Sequence, residues 1–170
     1  MDFTLNEQQT ELQRVARDFA QKEMVSVALE MEEKNIPLPK DWLKKYAEMG
    51  FLGINVGKKY GGLGLSNLEA LLVIEEFAKI SSAVAFPIFE SCLGPVKAIE
   101  HFANEDLKMR VIPEVCKVNI IIAVSMSESN AGSALTDLTT KAEIQGDQII
   151  INATKSWCSG GGHLEGYVVY

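Results

Sequence analysis

Val124-Ser-Met-Ser-Glu-Ser-Asn-Ala-Gly-Ser133, followed downstream by Lys155-Ser-Trp-Cys-Ser-Gly-Gly-Gly162, separates a front half that reads as helix from a back portion that reads as strand. Ser125, Ser127 and Ser129 alternate in the first segment, and Gly132 permits close backbone approach, so the loop can offer several hydroxyls and N–H groups to a polar or anionic ligand. The second segment places Trp157 in a short apolar stretch read as strand, beside three glycines. The residues alone leave a second reading open, a polar surface turn with a core tryptophan.

Upstream of this stretch the patterning is helical. Thr4-Leu5-Asn6-Glu7 has capping-box spacing, and Leu12, Val15, Ala16, Phe19 and Ala20 then fall on one apolar stripe. A second helix, Val25 to Glu33, ends before Asn35-Ile-Pro37, and a third runs from Lys40 to Glu48 with Gly50 as its stop. Phe51 to Leu65 carries five glycines and reads as loop; it lacks GxxxxGK[ST] and does not match GxGxxG after a strand, which argues against a phosphate cradle. Ser66-Asn-Leu-Glu69 is a second capping box before a strongly apolar helix. Ala83 to Phe102 predicts a buried helix kinked or interrupted by Pro87 and Gly94-Pro95, and Asn104-Glu105-Asp106 opens another, with Pro113 in its path.

Ile120 to Val124, Leu138 to Ile144, Gln148 to Ile151 and Gly166 to Tyr170 carry β-branched or alternating patterns, with a turn at Gly146-Asp147. Helices followed by strands, rather than the two alternating, predict an α+β arrangement or two domains: helices over 1–119, then antiparallel strands over 120–170. A sheet of so few strands with open edges predicts a truncated domain or a partner that completes it.

Composition narrows the function. The 170 residues are 47% hydrophobic and 23% charged, ordinary for a globular protein. A net charge of −7 without a basic cluster argues against a nucleic-acid binder. Cys92, Cys116 and Cys158 are odd in number and far apart, which suggests neither a disulfide framework nor a zinc site and fits a reducing cytoplasm. The acidic N-terminus does not read as a signal peptide, and no run approaching the ~20 apolar residues of a membrane span is expected. His101 and His163 read as solvated side chains rather than a ligand pair.

Taken in order, Tyr60-Gly-Gly-Leu-Gly64, Ser127-Glu-x-x-Ala-Gly-Ser133, Gly146-Asp147, Asn152 and Lys155-x-Trp157-x-Ser159 resemble the acyl-CoA dehydrogenase family across essentially the whole chain. The resemblance implies an N-terminal helical domain, a middle β-barrel and a C-terminal four-helix domain, usually in a homotetramer, with 1–119 as the all-helical domain and 120–170 as the beginning of the antiparallel β-barrel domain. It implies FAD as cofactor, an acyl-CoA thioester as substrate, and α,β-dehydrogenation with hydride transfer to flavin N5, within fatty acid metabolism. Electrons would pass to an electron-transfer flavoprotein; an oxidase-type relative using oxygen, or a non-catalytic truncated paralogue serving assembly, are the alternatives.

Residue by residue, the resemblance implies that Val124, Met126, Ser127, Gly132 and Ser133 line the flavin, with Ser133 also meeting the CoA moiety. Trp157 would pack on the ring system, and Cys158 and Ser159 would reach the N5 edge. Phe89 and Leu93, with Phe86 and Cys92, would line the acyl pocket, with a plain core face as the competing reading. Ser129, Ala134, Ala153 and Gly160 depart from the family's usual Pro, Asp, Gly and Asn. The family's catalytic Glu is expected beyond Tyr170, and Glu128 takes a structural role.

Overall fold

The computed structural model describes residues 4–170. Among these residues seven α-helices come first: α1 Glu7–Phe19, α2 Val25–Lys34, α3 Lys40–Glu48, α4 Asn67–Ala78, α5 Ser82–Cys92, α6 Pro95–Phe102 and α7 Glu105–Cys116. Four short strands follow, β1 Ile122–Ser125, β2 Lys141–Gln145, β3 Gln148–Asn152 and β4 Gly166–Val169. A π-helical turn over Ala20–Met24 joins α1 to α2 without a break.

Local chemistry sets these boundaries. The first capping box lies two residues later than the sequence suggests: Asn6, not Thr4, caps α1, its side chain accepting from Gln9 N–H at 2.8 Å while the Gln9 side chain accepts from Asn6 N–H at 3.1 Å. Ser66 and Glu69 form the reciprocal box at α4 as expected. Asn35 ends α2 in the left-handed conformation that short amide side chains tolerate. The apolar run from 82 onward divides at Gly94-Pro95 into α5 and α6, whereas α5 continues through Pro87 and α7 through Pro113.

Ser82–Phe102, 21 residues of mean hydropathy 1.2, is long and apolar enough to span a membrane, contrary to the sequence reading. Here it is split between two helices packed against each other.

α4 packs between α1 and α5, and the aromatic rings of Phe19, Tyr46, Phe51 and Phe77 meet at the centre. Phe77 lies 5.1 Å from Tyr46 and 5.2 Å from Phe51, centroid to centroid, both edge-on as the ring quadrupoles favour. The fully buried Tyr46 hydroxyl donates to the Val84 carbonyl at 3.1 Å, which satisfies its polar end and ties α3 to α5.

The glycine-rich loop before α4 is structural. Gly53 and Val56 turn their carbonyls inward to accept from Leu63 N–H at 3.2 Å and Gly64 N–H at 2.8 Å. A Cβ on Gly62 would lie 2.3 Å from the Val56 oxygen and 2.5 Å from the Gly53 oxygen, so the loop closes only around a bare backbone.

The strands depart from the expected all-antiparallel arrangement. β2 and β3 form an antiparallel hairpin, with Gly146 at φ +67° at the first central position of its two-residue turn. β1 instead pairs with β4 in parallel, Ile122 opposite Gly166 and Ser125 opposite Val169. A parallel pair needs a long crossover, and the hairpin with the segment after it supplies one. Glu165 secures the pairing by accepting from Ile121 N–H at 2.9 Å.

Gly62→Ala should destabilise the protein by about 3 kcal/mol through backbone overpacking, read as a lowered urea midpoint with an unchanged slope.

Candidate functional site

β1 leads from the buried base of the molecule into the serine-rich loop, and the Lys155–Ser159 segment lies alongside it. Ser156 N–H donates to the Ser127 carbonyl at 2.9 Å. Lys155 Nζ donates to the Met126 carbonyl at 3.0 Å and to Glu128 Oε1 at 2.9 Å. Cys158 turns its sulfur toward β1, 3.4 Å from the Val124 carbonyl and 3.1 Å from Ser125 Oγ.

Glu128 is the hub. Its Oε2 accepts from Thr139 N–H at 2.8 Å and Thr139 Oγ1 at 2.6 Å, and its Oε1 accepts from Thr140 N–H at 2.9 Å and from the Thr140 hydroxyl. With Lys155 this gives five donors to one carboxylate. They hold its pKa far below the usual carboxylate range, the Thr139 hydroxyl first, then Thr140 and Lys155. Because the folded pKa lies below the unfolded one, the stabilisation is complete above the ordinary range near ~4.3 and is lost progressively as pH falls from there through the depressed value. Glu128 and Ala131 also exchange backbone hydrogen bonds at 2.9 and 3.2 Å, closing a turn over Ser129-Asn130 without the family's proline.

Val124, Met126, Ser127, Trp157 and Ser159 form one side of a cavity of about 200 Å³, and Phe86, Phe89 and Glu90 from α5, with Pro95 of α6, form the other. The hydroxyls of Ser127 and Ser159 have no hydrogen-bond partner among the described residues. Trp157 occupies irregular backbone at φ +59°, not the strand expected for it, and its residue surface is 94% exposed. Such a conformation is unusual for a bulky residue. It leaves a flat indole standing at the cavity mouth.

The other residues singled out lie apart. Gly132 and Ser133 are exposed beyond the Glu128–Ala131 turn and do not line the cavity. Leu93 packs against the helical core, and Cys92 is fully buried, accepting from Ile54 N–H at 3.3 Å. His101 and His163 are exposed, and among the described residues no group of three or more potential metal ligands exists. Glu90 and Pro95 escaped the sequence reading, although Glu90 follows Phe86 by four residues and so shares its helix face. Thr139 and Thr140 left no signal, because their role depends on where Glu128 lies.

The family model for the acyl-CoA dehydrogenase N-terminal domain matches residues 6–119, and the chain belongs to the acyl-CoA dehydrogenase family. Isobutyryl-CoA dehydrogenase of Dictyostelium discoideum is 35% identical over 97% of this chain and 39% of its own length. The 3-sulfinopropanoyl-CoA desulfinase of Variovorax paradoxus is 32% identical over 99% of this chain and 42% of its own. The solved glutaryl-coenzyme A dehydrogenase glutaryl-CoA complex superposes with a TM-score of 0.92 at 27% identity, covering 99% of this chain and 43% of that one. The chain thus spans about two-fifths of the length of the curated relatives it matches.

Replacing Glu128 with Gln should raise amide hydrogen exchange at Thr139 and Thr140 by about tenfold or more, since a neutral amide no longer matches five donors. Exchange in α4 should stay unchanged.

Proposed function

We propose that the chain is the front part of an FAD-dependent acyl-CoA dehydrogenase, with residues 1–119 as its helical unit and 120–170 as the start of its middle barrel. The observation that carries this reading is the cavity itself: Val124, Met126, Ser127, Trp157 and Ser159, distant in sequence, converge opposite Phe86 and Phe89. The family, and the solved relative bound to glutaryl-CoA, support it.

The site residues fit a flavin. A bare indole beside unspent hydroxyls and a backbone edge suits a planar ring with a polar rim. When bound, the flavin supplies the hydride acceptor for Cα–Cβ oxidation. Trp157 would help hold the ring and exclude water from it. Ser127 and Ser159 would offer hydroxyls to its polar groups, where donors favour added negative charge. Glu128 and Lys155 hold both segments in register and take no proton in turnover; Glu128 is already committed to five donors. Cys158 anchors its segment to β1. Phe86 and Phe89 form an apolar wall for the acyl chain. None of the residues lining this cavity is assigned as the proton-abstracting base, and electrons would leave to an electron-transfer flavoprotein from a homotetramer.

With the complete gene product, anaerobic addition of a matching acyl-CoA should bleach the flavin absorbance. Failure of every member of a straight- and branched-chain panel would overturn the reading, and hydrogen peroxide release under air would move it to an oxidase. Trp157→Ala should weaken FAD binding about fivefold or more while leaving the apoprotein's thermal midpoint in place, because the lost contact is with the ring alone.

A further inference from the structure

Glu90 is 9% exposed and makes no hydrogen bond or ion pair with any described residue. Glu76 shows what a buried carboxylate ordinarily requires: it is 2% exposed, with Arg17 at 3.0 Å and Lys79 at 2.9 Å. Burying a carboxyl without such partners is costly, and native structures rarely leave one so. Desolvation alone raises Glu90 to about 7. Near neutrality its carboxyl is therefore divided between a neutral form that donates and accepts and an anion that only accepts.

The position of this group is as telling as its isolation. Glu90 follows Phe86 and Phe89 on α5 and lines the cavity opposite Met126, Ser127 and Trp157. It also borders a second cavity of about 350 Å³, which it shares with His163 and with Lys40, the latter committed to Glu165 at 3.2 Å. A polar side chain thus faces the space assigned above to the acyl chain, and its neighbours there are mostly apolar.

We propose that Glu90 determines substrate specificity by receiving a hydroxyl, or a comparable neutral hydrogen-bonding group, carried on the acyl chain of the thioester. The inference rests on the acyl-CoA reading. A plain hydrocarbon chain would seal the carboxyl away from water with nothing to bond. A chain ending in carboxylate would bring like charge into a confined apolar space. An ammonium group would be desolvated against Phe86, Phe89 and Pro95 with at most a partly ionised partner. A hydroxyl both donates and accepts, and so matches either form of the carboxyl.

The test uses the complete gene product loaded with FAD and redox-inert S-alkyl thioether analogues of acyl-CoA, in a series of chain lengths, ending in methyl, hydroxyl or carboxylate. At the best length, calorimetry should show the hydroxyl analogue binding about tenfold tighter than the methyl one, the expected worth of a hydrogen bond that rescues a buried polar group. Glu90→Leu should reduce that ratio to about twofold or less and strengthen binding of the carboxylate analogue about tenfold. Glu90→Gln, a near-isosteric change that serves if the leucine variant does not fold, should keep the hydroxyl preference within about threefold and still admit the carboxylate analogue. Equal binding of methyl and hydroxyl analogues by the wild type, or a ratio unmoved by Glu90→Leu, overturns the proposal. If alkanoyl-CoAs bleach the flavin while that ratio is flat, only the role of Glu90 fails; if no acyl-CoA bleaches it, the acyl-CoA reading fails and this inference with it.

Discussion

The Glu128 carboxylate is the constraint on which the strand-bearing part of this chain depends. β2 is exposed along its whole length, and Ile144, Ile149 and Ile151 on the hairpin are 81, 65 and 52% exposed, so no apolar core holds the hairpin against the rest. What ties it there is directional chemistry: two threonine N–H groups and two hydroxyls divided between the two carboxylate oxygens, and Lys155 from a third segment. A charged acceptor surrounded by donors is worth more than the same bonds made between neutral groups, and it fixes angles as well as distances. One side chain therefore sets the relation between the serine-rich loop, the hairpin and the Trp157 segment.

The helical part works by a different rule. Phe19, Tyr46, Phe51 and Phe77 interlock, edge to face except for the stacked Phe19–Phe77 pair, and close packing there makes α4 and α5 a rigid platform. α5 presents one side to this core through Val84, Ile88 and Cys92, and turns Phe86, Phe89 and Glu90 toward the cavities that border the strand segments. The cavity is consequently a junction. One wall is positioned by apolar packing and the other by hydrogen bonds, and neither half encloses it alone.

Much of this was legible before any coordinates. Capping residues and apolar stripes placed the helix starts to within two residues, because each of those signals acts over a single turn, whereas Pro87 and Pro113 did not break the helices that contain them. The failures share one cause. The sequence reading puts the first cap at Thr4, whereas the reciprocal box closes between Asn6 and Gln9. The parallel pairing of β1 with β4 depends on how the intervening hairpin is carried over, which periodicity does not encode. Trp157, read as part of a strand, takes a left-handed backbone because the Lys155 and Cys158 anchors on either side leave it pointing outward.

By itself, the sequence determined which segments are helix and strand, which loop is rich in hydroxyls, and which family the motifs resemble, since these properties are carried by neighbouring residues. Only the tertiary structure decided that Ser127, Trp157 and Phe89 share one cavity while Ser133 and Leu93 stand outside it, and that Glu90 is buried there without a partner among the described residues. Convergence of distant residues, and the absence of a counter-charge beside a buried one, are set by packing in three dimensions, and no local pattern along the chain contains them.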